Sequence, residues 1–226
     1  REPGKKFLHR PTFSGDIEFK NVNFSYPDQP VKALDNVSFK IKAGERVGFI
    51  GRIGSGKSTI EKLMLGFYEA NEGSILIDGT DIRQLDPSDL RRQIGYVPQD
   101  ISLTFGSVKD NITLGSQFAD DESILRAAEI SGVSNFVNRH PAGFDLQVGE
   151  RGAALSGGQR QSVAVARSLL LSPPIFIMDE PSNSMDNSTE ESFKQRFSQE
   201  LNTQTLILVT HRASLLTLVD RLIVMD

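Results

Sequence analysis

A glycine-rich stretch that ends in a lysine and two hydroxyl residues directly follows an apolar run. Residues 51–59 fit the pattern G-x-x-x-x-G-K-[ST], which binds phosphate when a strand precedes it and a helix follows it. Glycines allow close backbone approach, so successive N–H groups can point at phosphate oxygens at the positive end of the helix. The lysine supplies a point charge to the β- and γ-phosphates, and the next hydroxyl supplies a ligand for Mg²⁺. This phosphate loop comprises Gly51, Arg52, Ile53, Gly54, Ser55, Gly56, Lys57, Ser58 and Thr59. A chance glycine-rich turn is the alternative.

Two continuous apolar runs, 174–178 and 205–209, are each followed by residues that can do chemistry. Such runs are typical of parallel strands covered on both faces, and open α/β sheets bind ligands at the carboxyl ends of their strands. Asp179 is therefore predicted to hold Mg²⁺ through water, and Glu180 stands beside it. A helix-start acidic pair that complements a helix dipole is the alternative. Beyond the second run, the imidazole of His211 can reach a γ-phosphate, although a solvated or capping histidine is the competing interpretation.

A second anion-binding helix start is predicted at residues 155–159, where two adjacent glycines open an apolar helical run. The run contains good helix formers and ends before Pro173 and Pro174, so Ser156 lies near the helix N-terminus. The hydroxyl of Ser156 and the N–H of Gly158 can bind an anion there.

Hydrophobic spacing predicts the elements that must position these residues. Apolar residues at 17, 19, 22 and 24 alternate with polar neighbours but slip phase at Lys20 and Asn21, which predicts a bulge or turn. Further strands are predicted at 37–41 and 74–77, and helical spacing follows the phosphate loop at 60, 63, 64 and 67. Positions from about 101 to 155 are predicted to be mostly helical, with apolar-faced pieces at 125–128 and 135–137.

Composition excludes several function classes. The chain has 226 residues, a formal net charge of −4 and no cysteine. The charge gives no electrostatic footprint for nucleic acid, and the lack of cysteine excludes disulfides, thiol catalysis and cysteine-rich zinc sites. No apolar stretch approaches the roughly 18 residues of a membrane span, and no signal peptide opens the chain. We expect the isolated domain to be soluble and any membrane part to lie elsewhere.

Taken together, the phosphate loop, the 155–159 segment, the acidic pair and the later histidine resemble the nucleotide-binding domain of an ABC transporter. The resemblance covers about residues 16–226. It implies an α/β fold: a P-loop NTPase (RecA-like) core with a parallel sheet, an N-terminal antiparallel β-subdomain and an inserted α-helical subdomain at about 101–160. Residues 1–15 are basic and rich in proline and glycine, so we expect a linker from a preceding transmembrane domain. The C-terminus is expected to be truncated, because family members usually continue past the strand at 221–225.

The resemblance assigns roles within one subunit. Glu180 would be the catalytic carboxylate, which polarises the water that attacks the γ-phosphate in line, and His211 would hold that water in register. Gln99 matches the glutamine whose amide touches both the metal and the water, while its loop touches the membrane domain. Tyr26 matches the aromatic residue that stacks on adenine. A turn glutamine without a role and a core or edge-strand tyrosine are the alternatives.

The resemblance also implies a second copy of the chain as a partner. In the family, the 155–159 segment closes over the nucleotide of the other subunit, so Ser156, Gly157, Gly158 and Gln159 would bind the partner's ATP. Asp186 would cross the interface to order the opposite site. The implied assembly is a head-to-tail dimer that sandwiches two ATP molecules with their Mg²⁺.

Finer patterns point to a subfamily. Residues 147–152 and 106–112 resemble exporters, and residues 51–56, 159–164 and 184–187 are similar to type I secretion ATPases for repeat-rich toxins and adhesins. This implies a transmembrane domain of the same parent polypeptide, at the cytoplasmic face of a bacterial inner membrane. A membrane fusion protein and an outer-membrane channel would be further partners.

Two alternatives remain at this stage. A lipid or drug exporter would share every catalytic residue. A soluble ABC ATPase acting on nucleic acid would carry a coiled-coil insertion, a tandem cassette or a basic face, and the chain shows none of these, so no nucleic-acid partner is expected.

Overall fold

A computed structural model describes residues 7–116 and 118–226. The chain divides into two compact units. The first contains the chain up to Ile94, Pro174–Ile177 and Thr203–Asp226, and the second contains Gly95–Pro173 and Met178–Asn202. The strands are β1 (Ile17–Phe24), β2 (Leu34–Ile41), β3 (Arg46–Gly51), β4 (Glu72–Ile77), β5 (Thr80–Asp81), β6 (Ile94–Val97), β7 (Ile175–Asp179), β8 (Thr205–Val209) and β9 (Arg221–Met225). The α-helices are α1 (Lys57–Met64), α2 (Pro87–Arg92), α3 (Val108–Ile112), α4 (Asp121–Ser131), α5 (Ser134–Val137), α6 (Gly157–Leu169) and α7 (Asn187–Glu200).

An antiparallel sheet in the order β2-β1-β4-β5 lies in the first unit. Its central strand, β1, places Ile17 opposite Ile41 on one side and Ile77 on the other, and all three side chains are buried. The register shifts between Phe19 and Val22, where Asn21 has a φ of 47°. The bulge that the hydrophobic phase slip predicts is therefore confirmed, and it lets both apolar pairs of β1 face the same core.

The other sheet has the strand order β6-β7-β8-β3-β9, and β3 runs parallel to both β8 and β9. Every residue of β7 and of β8 is buried, as continuous apolar runs predict for strands covered on both faces. The chain passes from one unit to the other within β6 and β7. An α/β fold with one antiparallel and one parallel sheet is thus confirmed.

Helix α1 begins directly at Lys57 and buries Ile60, Leu63 and Met64. Phe67 continues the apolar spacing of the sequence but lies beyond the helix end, is 53% exposed and contacts the Arg91 guanidinium at 5.6 Å. The helix therefore stops one turn earlier than the spacing predicts, because residues 65–68 leave the helical path around Gly66, whose φ is +64°.

The second unit is built around α6, which packs against α3 and α4, while α4 also packs against α7. The prediction of a mostly helical segment at 101–155 is only partly right: turns separate α3, α4 and α5, and two short 3₁₀ segments follow α5. Glycines with positive φ at 106, 149 and 152 interrupt the helical path there. Arg167 of α6 donates from Nε to the Asn111 carbonyl at 2.7 Å, and burial lowers the pKa of its guanidinium.

The segment before β1 is fastened to the first unit. The Asp78 carboxylate accepts hydrogen bonds from the backbone N–H groups of Ser14 (2.6 Å), Gly15 (3.0 Å) and Asp16 (2.9 Å). Phe13 is buried, and Arg10 donates to the Asp78 carbonyl and to Thr80. The predicted linker at 1–15 thus has its last residues bound to the β4–β5 turn, and its residues 1–6 lie outside the described residues. Within the described ranges, no helix is long and apolar enough to cross a membrane.

Candidate functional site

The phosphate loop joins the end of β3 to the start of α1, in the order that the motif requires. Two of its glycines cannot be replaced without displacing backbone. A Cβ at Gly51 would lie 2.2 Å from the Met225 carbonyl oxygen, and a Cβ at Gly56 would lie 2.8 Å from that of Ala33. Gly56 also has a φ of +93° as the residue before the first turn of α1. The loop tip is open by contrast, since Ile53 is 98% exposed.

The Lys57 ammonium lies against the loop's own backbone. Its Nζ donates to the carbonyl oxygens of Gly51 (2.7 Å) and Arg52 (2.8 Å) and to the Ser55 hydroxyl (3.2 Å). These three acceptors are uncharged, so the loop retains the positive charge of the lysine. A cation held among backbone dipoles at a helix start is suited to bind a phosphate group.

Tyr26 lies two residues after β1 and reaches α1. Its hydroxyl is 3.1 Å from Oγ1 of Thr59, and Lys62 Nζ stands 5.3 Å from the centre of its ring. Phe24 and Tyr68 contact the ring edge-to-face at 5.0 and 5.2 Å. The predicted base-stacking residue is therefore brought beside the phosphate loop, half-buried in an aromatic cluster. His211, also in the first unit, is exposed just beyond β8.

The acidic pair stands at the end of β7. Asp179 and Glu180 are only 5% and 8% exposed. Glu180 has a φ of 47°, in the left-handed region that residues with a side chain rarely adopt. Backbone strain of this kind is concentrated at functional sites, and here it falls on the predicted catalytic carboxylate.

Residues 180–186 form a compact segment, which we call the 180–186 loop. Asn183 N–H donates to the Glu180 carbonyl (3.1 Å) and Met185 N–H donates to the Ser182 carbonyl (2.9 Å). The Ser182 hydroxyl donates to the buried Glu190 carboxylate of α7 at 2.5 Å. Two successive turns and a side-chain bond therefore fix the path of the chain after Glu180.

Asp186 ends this loop and caps α7. Its carboxylate accepts from the Thr189 N–H at 2.9 Å and from the Ser188 N–H at 3.0 Å, and both hydroxyls of these residues also donate to it. The backbone hydrogen bond from Thr189, followed by those from the two hydroxyls, holds the pKa of Asp186 well below its usual range. Asp186 is thus ionised and exposed at a helix N-terminus, whose dipole favours negative charge.

The 155–159 segment is confirmed as a helix start. Ser156 is the N-cap of α6: its hydroxyl accepts from Gln159 N–H (3.2 Å), and the Gln159 side chain accepts from Ser156 N–H (2.9 Å). The glycines also have a packing reason that the sequence does not reveal. A Cβ at Gly158 would lie 3.0 Å from the Ser184 carbonyl oxygen, and one at Gly157 would lie 3.3 Å from Ser184 Cβ. The glycine pair therefore lets the start of α6 pack directly on the 180–186 loop.

Sequence reasoning missed Gln161, which is 1% exposed and hydrogen-bonded to that loop. The available signal was its place in the helix, five positions after the cap, where the amphipathic pattern calls for an apolar residue.

The structure groups the other predicted residues by unit. Tyr26, the phosphate loop and His211 belong to the first unit, whereas Gln99, which is exposed after β6, belongs to the second with Ser156–Gln159, Asp179, Glu180 and Asp186.

Comparisons with known proteins agree with this fold and these motifs. The ABC transporter family matches residues 34–183, and the chain belongs to that family. The resemblance to the nucleotide-binding domain of an ABC transporter is confirmed, and domains of this family bind and hydrolyse ATP.

The chain is 43% identical over 220 residues to the exotoxin translocation ATP-binding protein PaxB of Pasteurella aerogenes, covering 97% of this chain and 31% of that protein. The alpha-hemolysin translocation ATP-binding protein HlyB of Escherichia coli matches with the same identity, length and coverage. A solved structure of a bacterial Atm1-family ABC exporter with ATP bound matches with a TM-score of 0.92 and 37% identity, covering 99% of this chain and 39% of that one. The chain thus spans between 31% and 39% of the length of these relatives.

Proposed function

We propose that this domain hydrolyses ATP with Mg²⁺ as the motor of a type I secretion exporter, which moves protein across a bacterial inner membrane. The observation that carries the proposal is the phosphate loop, where Lys57 keeps its charge among neutral acceptors at the start of α1. ATP binding follows from this loop, with Tyr26 beside it to stack on the adenine. Since stacking reads no base identity, the preference for ATP over other nucleotides is loose.

The donor set in this chain fits Mg²⁺. This cation keeps several waters and is usually held by one or two carboxylates together with substrate phosphates. The Ser58 hydroxyl, the Asp179 carboxylate and the Gln99 amide are hard oxygen donors of this kind. Within the described residues no group of three or more His, Asp or Glu is arranged to hold a metal alone. When bound, Mg²⁺ neutralises charge on the transferring phosphoryl group.

For the hydrolytic step, we assign the carboxylate of Glu180 to the attacking water. It accepts a proton from that water as the water approaches the γ-phosphate in line. His211 contacts the γ-phosphate and keeps water and carboxylate in register, and the amide of Gln99 orients the same water. The burial of Glu180 and its left-handed backbone support the assignment, because a fixed carboxylate loses little freedom in the transition state.

The site is completed by a second copy in this proposal. Ser156, Gly157, Gly158 and Gln159 open α6. The capping box engages the N–H groups of Ser156 and Gln159, and the N–H groups of the two glycines lie beside it at a helix N-terminus suited to the γ-phosphate of the other subunit. Asp186, ionised at the start of α7, orders the opposite site. ATP binding closes the head-to-tail dimer and hydrolysis reopens it, which drives the transmembrane helices of the same polypeptide.

The proposed cargo is protein, because the relatives that match at 43% identity are named for the translocation of an exotoxin and of alpha-hemolysin. A membrane fusion protein and an outer-membrane channel are the further partners, at the cytoplasmic face of the inner membrane. An exporter of lipids or drugs is the second candidate, because it would share every catalytic residue. The match to an Atm1-family exporter shows that the similarity is not confined to relatives named for toxin translocation.

The test is Glu180→Gln, which keeps the shape of the side chain but removes its basicity. ATP binding should be unchanged and hydrolysis should fall by at least about 100-fold, the contribution of a positioned general base. An ATP-stabilised dimer should then be visible by size-exclusion chromatography. Hydrolysis at the wild-type rate would overturn the assignment of Glu180, and the absence of any nucleotide binding in the wild-type chain would overturn the function.

A further inference from the structure

We propose that Gln161 is a positioning residue for ATP hydrolysis, because its buried carboxamide fixes the backbone of Glu180 and joins the 180–186 loop to α6. The inference rests on the proposed function of Glu180. It adds a residue that contacts no nucleotide and acts on the rate of hydrolysis through the backbone of the catalytic carboxylate.

Both ends of the Gln161 carboxamide are bonded to the loop. Nε2 donates to the Glu180 carbonyl oxygen at 2.7 Å, and Oε1 accepts from the Ser184 N–H at 2.7 Å. These partners define the orientation of the amide. In the reverse orientation its NH₂ group would face the Ser184 N–H and its oxygen would face the Glu180 carbonyl, and neither could form a hydrogen bond. A glutamine that is 1% exposed and satisfied at both ends specifies one arrangement of the residues it joins.

The residue that Gln161 holds is strained. Glu180 has a φ of 47°, and such a conformation persists only when its surroundings determine it. The Glu180 carbonyl accepts hydrogen bonds from the Asn183 N–H at 3.1 Å and from the Gln161 side chain at 2.7 Å. The first bond belongs to the local turn, whereas the second comes from another helix. Loss of the Gln161 bond therefore releases the peptide group that follows Glu180 while the turn remains.

Other contacts attach the loop to a different helix. Ser182 bonds to Glu190, and Asp186 caps the first turn, so both tie the loop to α7. Gln161 instead ties it to α6, three residues beyond the glycine pair on which Ser184 packs. A movement of the first turns of α6 is thereby passed to the backbone at Glu180. A small error in the placement of a catalytic group is sufficient to slow an enzyme without affecting substrate binding.

The experiment compares Gln161→Leu and Gln161→Glu with Gln195→Glu as the matched control. Gln195 is exposed on α7 and its amide bonds only to Glu191 of the same helix among the contacts described. We expect kcat for ATP hydrolysis to fall at least about tenfold in both Gln161 variants, with KM within about twofold of wild type. The ionised glutamate loses the buried hydrogen bond to the Glu180 carbonyl, and leucine loses both hydrogen bonds. The control should keep both constants.

A pH profile separates positioning from a general loss of structure. The introduced carboxyl of Gln161→Glu can accept from Ser184 in either form, but it can donate to the Glu180 carbonyl only when protonated. Burial raises the pKa of a carboxyl, so protonation should occur within the accessible range. The ratio of variant to wild-type kcat should therefore rise as the pH is lowered from about 9 to about 6. The same ratio for Gln161→Leu should stay flat.

Unchanged kcat in both Gln161 variants would overturn the inference, as would an equal pH dependence in the leucine variant. If circular dichroism shows that Gln161→Leu does not fold, the test rests on Gln161→Glu alone. A rise in its kcat ratio at low pH supports the inference, and a flat ratio overturns it. The two proposals fail differently. Wild-type hydrolysis by Glu180→Gln removes the proposed role of Glu180, whereas an inactive Glu180→Gln with fully active Gln161 variants removes only the role of Gln161.

Discussion

The hydroxyl of Tyr26 lies 3.1 Å from Oγ1 of Thr59, so the residue placed for the nucleotide base is hydrogen-bonded to the helix that begins at the phosphate loop. Thr59 is buried and Tyr26 is half-buried, which keeps this contact out of bulk water. The base side and the phosphate side of the proposed nucleotide site are therefore connected by a bond between side chains, and each part can be tested separately.

Replacing Tyr26 distinguishes its ring from its hydroxyl. Tyr26→Ala should weaken ATP binding about fivefold, because base stacking contributes on the order of 1 kcal/mol. Tyr26→Phe should bind ATP nearly as wild type does, since the ring remains. Fluorescence titration with ATP and with GTP measures the nucleotide affinities of the two variants. Equal affinities of Tyr26→Ala and wild type would show that this tyrosine serves the aromatic cluster and not the nucleotide.

Removal of the phosphate-loop lysine should impair binding itself. Lys57→Ala should raise the Kd for ATP about 30-fold, because a charged hydrogen bond to phosphate contributes about 2 kcal/mol. Lys109→Ala is the control, since Lys109 is an exposed lysine paired with Asp121 in the second unit. Isothermal titration calorimetry gives both constants. An unaltered Kd in Lys57→Ala would contradict the phosphate-loop assignment.

Adding a methyl group at the start of α6 should disturb the 180–186 loop more where less space is available for it. A Cβ at Gly158 meets backbone at 3.0 Å, whereas one at Gly157 meets a side-chain carbon at 3.3 Å. Alanine also stabilises a helix by about 1 kcal/mol relative to glycine, which offsets part of the loss of stability caused by the strain. We expect Gly158→Ala to lower kcat more than Gly157→Ala does, with little change in thermal stability. The reverse order in a steady-state ATPase assay would show that the close approach to Ser184 does not matter.

The cap of α7 should make stability depend on pH in a defined direction. The hydrogen bonds from Thr189 and Ser188 lower the pKa of Asp186 in the folded chain. A depressed folded pKa contributes stability that is present above the unfolded pKa, about 3.9, and is lost as the pH falls through the folded value. Asp186→Ala should therefore lower Tm near neutral pH, and the difference from wild type should shrink only below about pH 4. Thermal melts followed by circular dichroism from neutral to acidic pH check this, and a difference that vanishes above that range would contradict the assigned cap.

The parts of the fold that depend on local pattern were predictable from the sequence. The phosphate loop between β3 and α1, the buried strands β7 and β8, and the bulge near Asn21 each follow from residue type and spacing within a short window. The helical content of 101–155 was overestimated, because apolar spacing does not reveal which glycines adopt positive φ and interrupt the helical path, as Gly149 does. The partners of Gln161 were not predictable, since Glu180 and Ser184 are 19 and 23 residues away in sequence. The roles of all the site residues, Glu180, Gln99 and His211 among them, and the domain limits stay predictions.

The attachment of the segment before β1 has a mechanical consequence. Three successive N–H groups, from Ser14 to Asp16, converge on the single carboxylate of Asp78 in the β4–β5 turn. Residues 8–11 add further bonds ahead of Ser14, to Gln84, Asp89, Asp78, Thr80 and Gln93. Tension applied to the chain ahead of Leu8 therefore meets these bonds and then the Asp78 carboxylate before it reaches the first ladder bond of β1. Because bonds loaded together share a force while a zipper yields at its end, these attachments must give way before a pull on this end begins to open the antiparallel sheet.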